Sequence, residues 1–300
     1  MKPLGGTELL YNNLVKNLGT DWQQQVNLIL SFCTFTHLDP NRINVLWQHL
    51  YTDQGALVGM DYPEFVSAIN YYVYVSNWQL KQYQEKYNIA DTNSRVIKNA
   101  INPIEFKTKP QGRIQLIYTS MPARGLEVLL DAFELMDRDD VDLTIYSSNI
   151  IYGKNYDPKD NAQLLFHRAR AMKNVYYRGY ALNQAVRKSL QNSHILAYPS
   201  IFPETSCLAA IEAGAAGCKI VTTDFGALPE TCDQWATFVP YTEDRKALTE
   251  EYAKTLNSAI DNYESECYNI EEQSQWFNEA YSWANRAEEW KRFFKEICVK

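Results

Sequence analysis

The sequence predicts an α/β protein of two Rossmann-like lobes, each built on a parallel sheet. Strand-length apolar runs alternate with helix-like stretches along nearly the whole chain. A polar break, "PIEFKTKPQGR" at 103–113, carries Pro103, Pro110 and Gly112 and interrupts that alternation as a linker would. The length of 300 residues, 46% of them hydrophobic, is enough for a core in each of two domains. The lobes are expected at 1–105 and 106–280, with 281–300 a C-terminal helix packing back across them.

In the first lobe the stretch "TELLYNNLVKNLG" sets Leu10, Leu14 and Leu18 at four-residue spacing, with Thr7 placed to cap the helix start and Gly19 its end. The strand-like runs are "VNLILSF" (26–32), "INVLWQH" (43–49), "YYVYVS" (71–76) and "RVIKNAI" (95–101). Beyond the break the order is clearer. Strands "RIQLIYTS", "VDLTIYSS", "NVYYRG", "HILAYPS" and "CKIVTTD" are separated by helices "LEVLLDAFELM", one near 160–172, "NQAVRKSLQNS" and "SCLAAIEAGAA". Five strands joined by helices imply a parallel sheet covered on both faces, because such crossovers are right-handed and place helices outside. Ligands of these sheets sit beyond the carboxyl ends of the strands, so the loops after residues 120, 148, 179, 200 and 224 are where a site is expected. Near the end of the chain, "YSWANRAEEWKRFFKEI" puts Trp283, Ala287, Trp290 and Phe294 on one helical face that needs an apolar partner.

Composition excludes some classes. With 29 Lys and Arg against 36 Asp and Glu, the formal charge is −7, which argues against a nucleic-acid partner and gives no sign of membrane association. The apolar runs are of strand length, so no signal peptide or spanning helix is expected, and the predicted location is cytoplasmic. The six cysteines form no CxxC pair and the four histidines share no ligand spacing, which predicts buried thiols and no metal.

The chemistry concentrates in "PSIFPETSCLAAIEAGAAGCKIVTTDFGALPE" (199–230). Glu204 follows a strand and Glu212 lies inside a helix expected to begin at Thr205 or Ser206, with seven uncharged residues between them. A helix N-terminus suits a phosphate. Carboxylates beside it would repel that phosphate unless they hold something else, and vicinal hydroxyls are the natural candidate for an acceptor-only group. On spacing alone two other readings stand: an exposed turn residue with a solvated helix position, or a glycosidase pair with carboxyls roughly 5 to 10 Å apart.

The same stretch resembles the retaining glycosyltransferases of family 4, which carry two glutamates at this spacing in a pattern like "PS…E…EAxAxGxxVV". Similar order extends through "GGTE" (5–8), "WQH" (47–49), "YVS" (74–76), "VIKNAI" (96–101), "SMPARGLEVLL" (120–130) and "YRGY" (177–180). The resemblance implies the GT-B fold, two Rossmann-like lobes whose parallel sheets face a cleft, and transfer of a sugar from a UDP- or GDP-sugar to a glycan or other hydroxyl acceptor, hexosyltransferase-like and without a metal. It implies that Glu212 holds the ribose hydroxyls and that Glu204 faces the transferred sugar, with the backbone of Thr205, Ser206 and Cys207 near it. Gly5 and Gly6 would let the chain approach the donor phosphates, Arg124 would neutralise the leaving diphosphate, His49 would point at the donor sugar, and Glu230 would be a further cleft residue. Many relatives place another arginine a few residues before Arg124, where this chain has Thr119 and Ser120; Lys98 is the candidate substitute. Relatives also have a strand before the "GGTE" loop, so the first lobe reads as shortened. It is either a compact natural form, the preferred reading, a truncation, or a lobe completed by another subunit in a homo-oligomer across an exposed sheet edge. A non-catalytic nucleotide-sugar-binding scaffold and a nucleotide-sugar epimerase on the same fold are the alternatives in function.

Overall fold

The computed structural model describes residues 5–149 and 161–298. These divide into two compact units, one of residues 5–102, 204–206 and 280–298, the other of the described parts of 103–203 and 207–279.

The N-terminal unit runs α1 (Gly6–Leu18), β1 (Val26–Leu30), β2 (Ile43–Gln48), α2 (Pro63–Ala68), β3 (Tyr71–Tyr74), α3 (Asn77–Tyr87) and β4 (Ser94–Val96). Its sheet has the order β1-β2-β3-β4, with every neighbouring pair parallel. β2 is buried along all but its first residue, as a strand covered on both faces must be, and its "INVLWQ" run is apolar enough to allow it. Helix α1 starts one residue before the expected cap. Gly5 is the N-cap and makes no side-chain cap bond, so Thr7 lies within the first turn. Gly19 closes the helix at φ 73°, its N–H reaching the Val15 carbonyl at 2.8 Å. The run 95–101 is strand only at its start. Ile97 still bonds the Tyr74 carbonyl, but Ile101 has turned to pair with the Tyr281–Ser282 segment.

The C-terminal unit runs β5 (Ile114–Tyr118), α4 (Leu126–Met136), β6 (Val141–Ile145), α5 (Asn161–Ala171), β7 (Val175–Tyr177), α6 (Asn183–Gln191), β8 (Ile195–Tyr198), α7 (Leu208–Ala215), β9 (Lys219–Thr223), α8 (Leu228–Cys232), β10 (Ala236–Val239), α9 (Arg245–Asp261), α10 (Tyr263–Glu266) and α11 (Ile270–Ala280). All five expected strands are present, and the described elements add a sixth, β10. It is an edge strand in which only Val239 is buried, so "ATFV" has no alternation to read. The sheet is parallel throughout, in the order β10-β9-β8-β5-β6-β7. Most of the loop expected after residue 148 lies outside the described residues, as does the first residue of the helix expected near 160–172.

Helix α7 begins at Leu208, later than the expected Thr205 or Ser206, with Cys207 in an extended conformation as its N-cap. Two interactions of its flanks account for this. The Thr205 hydroxyl is committed to the His49 carbonyl at 2.8 Å, and residues 204–206 pack with the N-terminal unit.

The last helix, α12 (Trp283–Cys298), finds its apolar partner in the N-terminal unit. Trp290 meets Trp47 edge-on at 4.8 Å between centroids, Phe294 stacks on Trp22 at 4.8 Å, and Phe293 meets Tyr71 at 5.8 Å. Aromatic pairs in these geometries add about 0.5–1.5 kcal/mol each beyond area burial. No helix among the described residues is long and apolar enough to cross a membrane. Cys33, Cys207, Cys218 and Cys232 are buried free thiols; Cys267 and Cys298 are half-buried.

Candidate functional site

From β5 the C-terminal sheet grows outward through β6 to β7. The chain then returns to the opposite side of β5 as β8 and grows outward again through β9 to β10. The direction reverses between β5 and β8, and in open α/β sheets the crevice at that reversal is where ligands bind. The loops that form it follow Tyr118 and Tyr198.

These two loops are packed against each other. Gly125, at φ 114°, begins α4 so close to Pro199 that any side-chain carbon would overlap the Pro199 carbonyl oxygen. Only glycine allows both the backbone angle and the approach. The Tyr118 hydroxyl donates to the Met121 carbonyl at 2.5 Å, and the Ser120 and Tyr198 hydroxyls lie 3.3 Å apart. Arg124 ends the short turn between these features, and its guanidinium lies 3.6 Å over the ring of Phe202, in the loop after β8. A guanidinium held by its face keeps its N–H fork in one plane, the geometry that pairs with phosphate oxygens. Phe202 is not among the residues expected from sequence, because it meets Arg124 only through a contact across 78 positions of chain.

Glu212 is the fifth residue of α7, and its side chain is 16% exposed. Asn183 Nδ2 donates to both of its carboxylate oxygens, at 3.0 and 3.2 Å, and Arg187 Nε lies 3.9 Å from Oε1. Burial pushes the Glu212 pKa up, while the Asn183 hydrogen bond and the Arg187 charge hold it back. Asn183 and Arg187 are one turn apart on α6, so both reach the same carboxylate. Arg187 is also tied to the Pro103 carbonyl at 2.7 Å. Neither residue is among those expected from sequence, although their four-residue spacing in "NQAVR" is a readable signal.

In the N-terminal unit, His49 follows β2. Its Nδ1 shares a hydrogen bond with the Ser31 hydroxyl at 3.2 Å, and its Nε2 is buried with no hydrogen-bond partner among the described residues. Desolvation lowers its pKa to about 3, so the ring is neutral across the ordinary pH range. Gln48, fully buried, fixes the turn by accepting from the His49 and Leu50 N–H groups at 2.9 and 2.8 Å. The Thr205 bond to the His49 carbonyl brings the segment of Glu204, Thr205 and Ser206 to His49; Glu204 and Thr205 are both buried.

The remaining predicted residues stand as follows. Gly5 has φ −76°, an angle open to any residue, so its glycine contributes lack of bulk and not unusual backbone; Gly6 is exposed at the first helical position. Lys98 is half-buried just beyond β4, in the N-terminal unit, whereas Arg124 belongs to the other. Cys207 is buried as the cap of α7. Glu230 sits in the first turn of α8, where a carboxylate is favoured electrostatically. The loop before it is held by Phe225 stacked on Tyr241 at 3.8 Å and by the Tyr241 N–H donating to Asp224 at 2.8 Å.

Residues 113–258, most of the C-terminal unit, match the family model described as "Glycosyl transferases group 1". No curated protein matches the chain. Among solved structures it is similar to the pneumococcal O-GlcNAc transferase GtfA in complex with UDP and GlcNAc, with a TM-score of 0.65 and 14% identity over 87% of this chain and 53% of that one. It is similar also to a glycosyltransferase from Rickettsia africae ESF-5, with a TM-score of 0.68 and 15% identity over 98% and 82% of the two chains. A third is Anabaena Alr3699/HepE in complex with UDP-glucose, with a TM-score of 0.71 and 14% identity over 90% and 79%. The chain thus spans about half the length of the pneumococcal protein. Its two parallel sheets make the fold that of the GT-B glycosyltransferases.

Proposed function

We propose that the chain is a retaining, family 4-like glycosyltransferase that moves a sugar from a nucleoside-diphosphate sugar to an acceptor hydroxyl without a metal. The observation that carries this reading is Arg124 stacked on Phe202 at the switch point of a sheet whose residues match the group 1 glycosyltransferase model. The solved neighbours that hold UDP or UDP-glucose support a nucleotide-sugar donor.

In this reading the C-terminal unit holds the nucleotide diphosphate. The ionised Glu212 carboxylate accepts from two ribose hydroxyls, and Arg124 faces the diphosphate. As the bond between the anomeric carbon and the phosphate oxygen breaks, negative charge grows on the departing group; a fixed guanidinium stabilises that charge without reorganising. The acceptor oxygen bonds to the anomeric carbon from the face of departure, and its proton passes to a phosphate oxygen. No protein base is then required. Glu204 and His49 are assigned to the transferred sugar by resemblance; a neutral imidazole suits hydrogen bonding to a sugar hydroxyl, since it adds no charge near the cationic carbon.

The test is to incubate the chain, in the presence of a chelator, with UDP-, GDP- and ADP-sugars and a panel of glycan acceptors, and to read the anomeric configuration of any product by NMR. The proposal expects transfer from one donor with the configuration kept. An inverted product, or transfer abolished by the chelator and restored by a divalent cation, contradicts it.

A further inference from the structure

Asn183 occupies the face of Glu212 that the proposed ribose contact would use. Its single amide nitrogen lies 3.0 and 3.2 Å from the two oxygens of Glu212, between them and on the side they share. A vicinal diol engaging a carboxylate through two O–H groups uses that same side, one hydroxyl per oxygen. The amide and the diol offer the same pattern of two donors to two acceptors.

We propose that Asn183 is a built-in competitor for the ribose of the nucleotide, satisfying Glu212 through its amide and surrendering both carboxylate oxygens to the ribose hydroxyls. The inference rests on the reading of Glu212 as the ribose-binding carboxylate.

Three features of the neighbourhood make the exchange feasible. Asn183 is the first residue of α6, exposed and short, so its side chain turns without moving the helix. It lines a cleft of about 560 Å³ together with Leu182, Arg187, Pro103 and Ile104, which gives the displaced amide somewhere to go. Arg187, on the same helical face, is anchored to the Pro103 carbonyl at 2.7 Å and lies 3.9 Å from Glu212, contacts that do not involve Asn183. A half-buried carboxylate stripped of its partner costs free energy. The amide lowers that cost before the nucleotide arrives, and donor affinity is reduced by the strength of the contact that must be given up.

The experiment is titration of the full chain and of Asn183→Ala and Asn183→Leu with UDP, GDP and ADP and with the 2′,3′-dideoxy form of whichever binds. Competition predicts that both variants bind the nucleotide more tightly, on the order of tenfold for one charge-assisted hydrogen bond, and that the gain disappears with the dideoxy nucleotide. Weaker binding by both variants would overturn the inference and make Asn183 an orienting residue for Glu212. An equal gain with the dideoxy nucleotide would overturn it too, since relief of bulk alone would then suffice. Glu212→Ala separates the two readings. Loss of nucleotide affinity in that variant, with no gain in the Asn183 variants, sinks only the competitor; unchanged affinity sinks the ribose assignment and the competitor with it.

Discussion

The guanidinium of Arg124 lies 3.6 Å over the ring of Phe202, and this contact joins the loop after β5 to the loop after β8 where the described strands of the C-terminal sheet reverse their order of growth. A planar cation on a flat ring fixes the orientation of a side chain that otherwise has several rotamers.

Arg124→Lys should therefore not behave conservatively. The ammonium keeps the charge but loses both the stacking face and the paired N–H geometry. Sugar-transfer kcat should fall about a hundredfold, the cost of removing one fixed donor to developing charge, with the nucleotide Kd changed much less. Phe202→Ala should give a smaller loss in the same direction. Steady-state kinetics with the preferred donor provides the check.

Gly125→Ala should destabilise the C-terminal unit by at least about 2 kcal/mol, because alanine is strained at φ 114° and its methyl group would overlap the Pro199 carbonyl. Chemical denaturation followed by tryptophan fluorescence would show the shift. A midpoint equal to that of the parent chain would mean that the two loops are not packed as described.

His49 predicts a dependence of stability on pH. Its folded pKa of about 3 lies below the ordinary histidine value of about 6.5, so between those limits the unfolded chain binds a proton that the folded one refuses. Stability should rise as pH increases through that window, by up to about 1.4 kcal/mol per pH unit from this group, and level off above it. His49→Gln should flatten the slope, which denaturation midpoints between pH 4 and pH 7 would reveal.

Glu212 gives nucleotide binding a pH dependence of the same sign. Its carboxyl is raised above the usual carboxylate range by burial, and only the ionised form accepts from two hydroxyls. Nucleotide affinity should weaken as pH falls, beginning at a higher pH than an exposed glutamate would show. Calorimetric titration across mildly acidic pH tests this directly.

Trp290→Ala should cost about 3–5 kcal/mol, the range for deleting a buried large aromatic, because Trp290 packs against Trp47 and Phe294 at the centre of the α12 contact. Thermal unfolding would register it as a lowered Tm of the N-terminal unit.

Much of the fold was legible because its strands alternate with helices at regular spacing. The four strands of the first sheet and five of the second were marked by apolar runs such as "INVLWQ" and "ILAY", and α4 was readable to the residue from the stripe in "LEVLLDAFELM". β10 escaped because a short edge strand buries too little to impose a pattern. The start of α7 was misplaced because Thr205 looks like a helix cap, yet its hydroxyl serves the His49 carbonyl, a partner 156 positions away. The site divides along the same line. Glu204, Glu212 and Arg124 are proposed from local motifs, whereas Phe202, Asn183 and Ser31 join the candidate site through contacts that the folded chain creates.

Membership of Glu212 and Arg124 in one nucleotide-sugar site can be checked by calorimetric titration of UDP-, GDP- and ADP-sugars into the parent chain and into Glu212→Ala. Saturable binding of one donor by the parent is expected, with at least a tenfold weaker Kd in the variant, as the loss of a charged hydrogen-bond acceptor implies. Equal affinity in the two proteins, or binding of none of the donors by the parent, would contradict it.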